Sequence, residues 1–385
     1  MSAAAKNRWG RIPSAAFAAL AVVFAGVLAA TFSGCESKPG YPPTLEYPAR
    51  TDRLVLRTPA AQPSGLGEPG KLDAELAALD SLGGLTLDPA TIPQADRTRI
   101  EASLTELFGP PASPHVKDDR AEGLGLTAER LVEGSRLYRR HCLQCHGLAG
   151  DGRGPTGPWI YPHPRDFRRG AFKFVTTGDG GKPRTSDLAR TVKDGLKGTG
   201  MPAFGILPDS DRDLLVSYVK FLALRGQTEF LALRAADEED ESDSKQRLAR
   251  IVGEWVKAEA VANISAPAVP EGEAKQSAVR RGYELFTNKA ATDCMTCHED
   301  YGRKTTYRYD VWGTVVRPGE LIVAGFKGGD RPEQLFHRIR DGIQPSGMPA
   351  HPSLKDDQVW DLVWFVRAAP FPRELPDDVR SKVYP

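Results

Sequence analysis

Net charge is almost absent from this chain. Its 51 lysines and arginines almost cancel its 50 aspartates and glutamates, and a formal net charge of +1 points to neither nucleic acid nor an acidic substrate as a partner. Cysteine is scarce. Four of the five form two close pairs and the fifth is Cys35, which leaves nothing for a conventional disulfide framework. Methionine occurs only at Met1, Met201, Met295 and Met348, so a role for thioether sulfur can fall on few positions. The glycine-rich stretches GDGRG and GDGG lack the lysine and serine or threonine of a phosphate-binding loop and read as turns. Proline (31) and glycine (38) are plentiful instead, which favours loops over long regular elements. With 385 residues, 40% of them hydrophobic and 26% charged, the chain suits two or three globular domains rather than one.

Residues 1–34 read as a signal peptide. Lys6, Arg8 and Arg11 form a positive start, and an apolar run extends from Ala15 to Phe32. The run ends in Phe32-Ser33-Gly34-Cys35, which resembles the lipobox of bacterial lipoproteins, with Phe32 where leucine is usual. The resemblance implies cleavage before Cys35, lipidation of its thiol, and residence on the outer face of a bacterial cytoplasmic membrane. The run is also just long enough to remain as a spanning anchor, and simple secretion is a third outcome. All three export the rest of the chain.

Residues 35–125 divide into an irregular tether, rich in proline and glycine up to about residue 70, and two helix-like pieces, KLDAELAALDSL and QADRTRIEASLTELF. A first domain spans 126–226. Its first helix is TAERLVEGSRLYRRHC, with Thr127 as N-cap and Arg130 where a capping box would want a glutamate or glutamine. A long loop follows, then the helix TSDLARTVKDGLKG capped by Thr185 or Ser186, then TGMPAFG, then a terminal helix DSDRDLLVSYVKFLALRG. Residues 227–275 read as an acidic, partly helical connector, its run from Asp237 to Glu241 solvated or flexible. Residues 276–370 then repeat the first domain: SAVRRGYELFTNKAATDC, RPEQLFHRIRDGI, SGMPAHP and KDDQVWDLVWFVRAA match its four pieces in order. Residues 371–385 are left as a tail.

The cysteine pairs stand in Cys142-Leu143-Gln144-Cys145-His146 and Cys294-Met295-Thr296-Cys297-His298, the C-x-x-C-H pattern for covalent attachment of c-type haem. Two thiols are needed because this haem is bound by two thioether links, one to each vinyl group. The two-residue gap puts both sulfurs on one side of a helical turn, and the next histidine is carried to the iron. Two covalently bound haem c groups are therefore expected, with His146 and His298 as iron ligands. Methionine is a common sixth ligand. Met201 and Met348 stand at matching places, Gly200-Met201-Pro202 and Gly347-Met348-Pro349, whereas Met295 lies inside a motif facing the wrong way. His351, three residues past Met348, is the one rival for the second iron. A zinc ribbon would bring its two C-x-x-C pairs within about 15–20 residues, far closer than these.

With these motifs, residues 126–226 and 278–370 resemble a tandem pair of class I cytochrome c domains, similar to cytochrome c subunits of bacterial respiratory complexes. The resemblance implies an all-α fold with three to five helices around each haem. It implies that a glycine and an aromatic on the first helix cross the terminal helix at close range: Gly134 and Tyr138 against Leu215 and Tyr218, Gly282 and Phe286 against Leu362 and Phe365. It also implies that a proline carbonyl soon after the motif accepts the ring N–H of the iron-binding histidine, a role that falls to Pro155 in the first domain. The second domain has no equivalent proline, and EDYGRKTTYRYD would have to supply the acceptor.

Several other groups have plainer readings. His163 and His337 read as solvent-facing. Arg165, Arg168 and Arg169 are candidates for haem propionates or an acidic partner. Residues 126–226 carry 17 Lys+Arg against 10 Asp+Glu, and residues 227–275 carry 6 against 11, an asymmetry that can steer a partner or hold the two regions together. The resemblance implies electron transfer by a membrane-anchored dihaem cytochrome with no catalytic residue. The expected partner is a membrane respiratory complex: a quinol-oxidising complex, a dehydrogenase or an oxidase. No nucleic acid or small-molecule substrate is expected. A dihaem peroxidase, needing an iron with an open position, is the rival class, and the two matching methionines argue against it. A sensor or assembly protein with structural haem is the third.

Overall fold

The structure, a computed structural model, describes residues 40–59, 65–66, 70–82, 85–178, 180–238, 243–304 and 306–385. The expected signal peptide, Cys35 and most of the acidic run lie outside the described residues. In chain order the elements are β1 (Leu54–Val55), α1 (Leu72–Asp80), β2 (Thr86–Leu87), α2 (Gln94–Phe108), α3 (Ala128–His141), α4 (Leu143–His146), α5 (Thr185–Asp194), α6 (Asp209–Asp237), α7 (Ser244–Glu259), α8 (Gly272–Thr287), α9 (Cys294–Cys297), β3 (Arg308–Tyr309), β4 (Val315–Val316), α10 (Pro332–Arg340), α11 (Asp356–Ala368) and α12 (Asp377–Val383). The fold is helical, as expected. Its described strands make only two short antiparallel ribbons, β1 with β2 and β3 with β4.

Both domains are built on one helix crossing. In the first, α3 meets α6 at Gly134, where a Cβ would come within 2.6 Å of the Leu214 carbonyl oxygen. Tyr138, one turn on, lies 5.1 Å from Tyr218, ring centre to ring centre. In the second, Gly282 of α8 lies against the Asp361 carbonyl of α11, and Phe286 lies 5.3 Å from Phe365. Glycine at each crossing lets the helix backbones approach. Thr127 caps α3 by accepting from the Arg130 N–H at 3.5 Å. The α5 cap differs from expectation: Arg184 holds the N-cap position, its N–H donating to Asp187 at 3.1 Å, while the Thr185 N–H donates to Glu259 at 2.8 Å.

Four boundaries move outward, each because apolar burial continues past the sequence signal. The terminal helix does not stop at Gly226. It runs on to Asp237, and Gly226 is the point where the Arg168 main chain crosses it, a Cβ there overlapping the Arg168 Cα. The connector is not a spacer either. Helix α7 folds back onto α6 and α2, and Leu248, Ile251, Val252 and Trp255 are wholly buried in the first core. The charge asymmetry joins these regions: Lys220 pairs with Glu259 at 3.2 Å and Lys182 with Glu254 at 3.6 Å.

Residues 40–59 are likewise no free tether. Leu54 is fully buried, and the Tyr47 hydroxyl hydrogen-bonds that of Tyr218 at 2.7 Å. An extended segment clothing a surface buries isolated residues, so it shows no helical period to read. The C-terminal tail folds into the second core through Leu375, Val379 and Val383, with Arg280 pairing with Asp378 at 2.8 Å. Between the domains lies a third, small core in which Val55, Leu76, Leu79 and Leu85 of the N-terminal extension pack on Tyr309 and Val315 of the second domain's ribbon. Although α6 is 29 residues long, no helix among the described residues is long and apolar enough to cross a membrane.

Candidate functional site

Each C-x-x-C-H motif folds as one tight turn after its domain's first helix, directly after α3 in the first domain and beyond residues 288–293 in the second. Cys142 closes α3, its N–H donating to the Tyr138 carbonyl at 2.8 Å, and His146 N–H then donates to the Cys142 carbonyl at 2.9 Å. In the second domain His298 N–H donates to the Cys294 carbonyl at 2.9 Å, after Asp293 has reversed the chain with φ +49°. Cys142, Cys145, Cys294 and Cys297 are all half-buried and unpaired. Burial pushes the Cys142 thiol up to about 12.

The histidine rings are oriented by main-chain carbonyls. His146 Nδ1 lies 3.1 Å from the Arg165 carbonyl oxygen and His298 Nδ1 lies 3.0 Å from that of Gly319. A carbonyl only accepts, so each Nδ1 carries the proton and each Nε2 presents its lone pair to a metal. Burial, partly offset by the carbonyl bond, lowers the pKa of His146 to about 4 and lowers that of His298 in the same direction. Both rings are therefore neutral at ordinary pH, as metal ligation requires. Phe167 stacks on the His146 ring at 4.7 Å.

These carbonyls correct the expected acceptors. Pro155 is exposed. Its segment passes beneath the motif, where Gly154 N–H donates to the Cys145 carbonyl at 3.1 Å, and the chain returns to His146 only at Arg165. In the second domain the acceptor lies past the stretch 299–310 that was to supply it. A signal for both was present in the sequence, since each acceptor directly follows a proline, Pro164 and Pro318. Each also needs a glycine of positive φ to let it in. A Cβ on Gly152 (φ +73°) would strike the Pro164 carbonyl, and one on Gly302 (φ +87°) would lie 2.8 Å from the Glu320 Cα.

The methionine loops are built alike. Leu196 N–H donates to the Met201 carbonyl at 3.2 Å, and Ile343 N–H to the Met348 carbonyl at 3.0 Å. The glycine before each donor, Gly195 (φ +65°) and Gly342 (φ +73°), faces the same main chain, where a side chain would not fit. Three residues beyond each methionine the pattern holds again: Phe204 N–H donates to Val192 and His351 N–H to Arg340, both at 3.0 Å. His351 thus takes the structural place of Phe204. Both methionine side chains are half-buried.

The arginines of the loops are committed internally, and the side chains of His163 and His337 are buried. Arg168 forms two bonds of 2.8 Å to Asp52 and pairs with Asp166 at the same distance. Arg169 donates to the Val55 and Leu56 carbonyls. Arg165 lies with its guanidinium carbon 3.5 Å from the centre of the Trp312 ring. His163 is not solvent-facing: its side chain is 7% exposed and its Nε2 is 3.5 Å from Glu75. His337 is buried too, with Nδ1 2.8 Å from Asp341.

Two unpaired thiols on one turn and a neutral histidine with Nδ1 engaged form a donor set that fits covalent haem c, and a half-buried methionine stands in a stiffened loop of each domain. Fold and donor set define a c-type cytochrome domain, present twice. In keeping with this, residues 129–219 and 277–366 match the family model described as cytochrome c oxidase, cbb3-type, subunit III. These two stretches are c-type cytochrome domains in tandem. No curated protein matches the chain. A solved chain of the reducing HAO-like protein complex of Kuenenia stuttgartiensis is 26% identical, with a TM-score of 0.48, covering 62% of this chain and 95% of that one.

Proposed function

We propose that each domain holds one haem c. Cys142 and Cys145 would carry the thioethers of the first and Cys294 and Cys297 those of the second, with His146 and Met201, then His298 and Met348, as axial ligands. The observation that carries this reading is the repetition of the whole donor set, down to the main-chain bond that fixes each methionine loop. Bound haem supplies a one-electron ferrous/ferric couple. The protein's contribution is to hold both axial positions filled, which suits electron transfer and leaves no open position for peroxide. Methionine ligation raises the potential, so Met201→His should lower the midpoint potential of one haem, within the roughly 0.8 V that axial ligands span. Potentiometric titration checks this, and two unchanged potentials would remove Met201 from the site.

The carrier is placed on the outer face of a bacterial cytoplasmic membrane, held by lipid on Cys35, and exchanges electrons with a membrane respiratory complex of the quinol-oxidising, dehydrogenase or oxidase type. The lipobox-like end of the N-terminal apolar run supports this. Purification of the tagged native chain from detergent-solubilised membranes should bring a multi-subunit redox complex with it. Recovery from the soluble fraction alone, with turnover of peroxide, would establish the rival peroxidase instead.

A further inference from the structure

We propose that the second domain governs the redox balance of the first haem through Trp312, which clamps the carbonyl that orients His146. The inference rests on the reading that the first domain holds haem through His146. Trp312 sits in the loop joining β3 to β4, and that loop is rigid. Asp310, almost fully buried, accepts from the N–H groups of Trp312 at 3.0 Å and Thr314 at 3.1 Å, and from Lys173 of the first domain at 3.2 Å. Such a turn, closed by its own aspartate, fixes the residues inside it. Behind it, Gly313 (φ +76°) presses on Leu76, Leu79 and Val55, where a Cβ would meet atoms at 2.8–2.9 Å. Trp312 is buried and cannot swing away.

From this fixed position Trp312 holds two consecutive residues of the first domain. Its ring lies under the Arg165 guanidinium, 3.5 Å from ring centre to the guanidinium carbon. Its indole N–H donates to the Asp166 carbonyl at 3.0 Å. The ion partner of Arg165 is Asp310, 3.9 Å away and in the same loop. Arg165 is also the residue whose carbonyl accepts the His146 Nδ1–H at 3.1 Å. One second-domain side chain therefore holds the side chain of the acceptor residue and the next carbonyl along the chain. The equivalent acceptor in the second domain is the Gly319 carbonyl.

A firmly held acceptor on Nδ1–H strengthens the imidazole as a donor, and stronger donation favours the ferric state. Loosening the clamp should therefore raise the potential of the first haem while leaving the second alone, although the substitution lies in the second domain. Trp312→Phe keeps the bulk and removes the indole N–H. Arg165→Lys keeps the charge and the carbonyl and removes the planar stack. In the full-length holoprotein, each should shift the ferrous-to-ferric ratio of the first haem about tenfold at a fixed ambient potential, about 59 mV for one electron. Each should also move the ferric electron paramagnetic resonance signature of that haem, and the double variant should do little more than the larger single one. The haems are told apart with a chain lacking Cys142 and Cys145. Both potentials unchanged in both variants, or a shift confined to the second haem, would overturn the proposal. A parent protein with haem on the second domain only would overturn the reading beneath it.

Discussion

Replacement of Cys142 and Cys145 together by serine should halve the haem that remains bound to the chain after denaturation, as measured by absorbance of the extracted chain per mole of protein. The reason is structural. The two motifs sit in separate cores, the first closed by α3, α6 and α7 and the second by α8, α11 and α12. Each histidine takes its orienting carbonyl from its own domain. Loss of the first pair of thioethers leaves Cys294, Cys297, His298 and Gly319 untouched, so one covalent haem should stay. The remaining haem should keep its own potential, because nothing in its donor set depends on Cys142 or Cys145. Unchanged haem content would show that the first motif never carried the group. Complete loss would show that the second domain cannot mature without the first. The first domain should also lose stability, since the covalent group would add apolar contact beside His146.

Most of this architecture was legible in the sequence, and the parts that were not share a cause. Motifs and helix periods are local, and they placed both cysteine pairs, both histidines, both methionine loops and the crossings at Gly134 and Gly282. What depends on contacts remote in sequence was hidden. Gly226 looks like a helix stop, and only the approach of Arg168 shows that it is a crossing point inside a longer helix. Leu248, Ile251, Val252 and Trp255 form an apolar stripe at helical spacing, but the stripe does not say what it packs on; all four are wholly buried because α7 folds back across α6. In the second domain Pro318 marks the acceptor, but it stands well past the motif, and only the turn of the β3–β4 ribbon brings the Gly319 carbonyl back to His298. The basic excess of the first domain left two readings open, steering a partner or holding neighbouring regions together, and the contacts favour the second. Arg168, Arg169 and Lys220 hold the N-terminal extension and α7 in place.

The crossing in the second domain offers the sharpest test of the packing. Gly282→Ala should destabilise the second domain by about 3 kcal/mol or more, above the usual range for one added methylene, because the obstruction is backbone rather than a side chain that can turn. The new methyl would overlap the Asp361 carbonyl oxygen and lie 2.8 Å from the Phe365 Cβ. Neither can yield. Asp361 is gripped by Arg281 through two bonds of 2.7 Å at the crossing itself, and Phe365 is wholly buried. The helices must therefore part, and Phe286 moves with α8. Phe286 lies 6.4 Å from the His298 ring, so the same displacement should disturb the spectrum of the second haem before the domain unfolds. Gly253→Ala in α7 is the control. Its built Cβ comes no closer than 3.3 Å to the Arg120 guanidinium, the movable end of a long side chain. There the loss of a mid-helix glycine should gain about 0.5–1 kcal/mol. Denaturant unfolding followed at the haem absorbance and by circular dichroism separates the two outcomes. Equal, small effects would mean that α8 and α11 do not meet as closely as Gly282 requires.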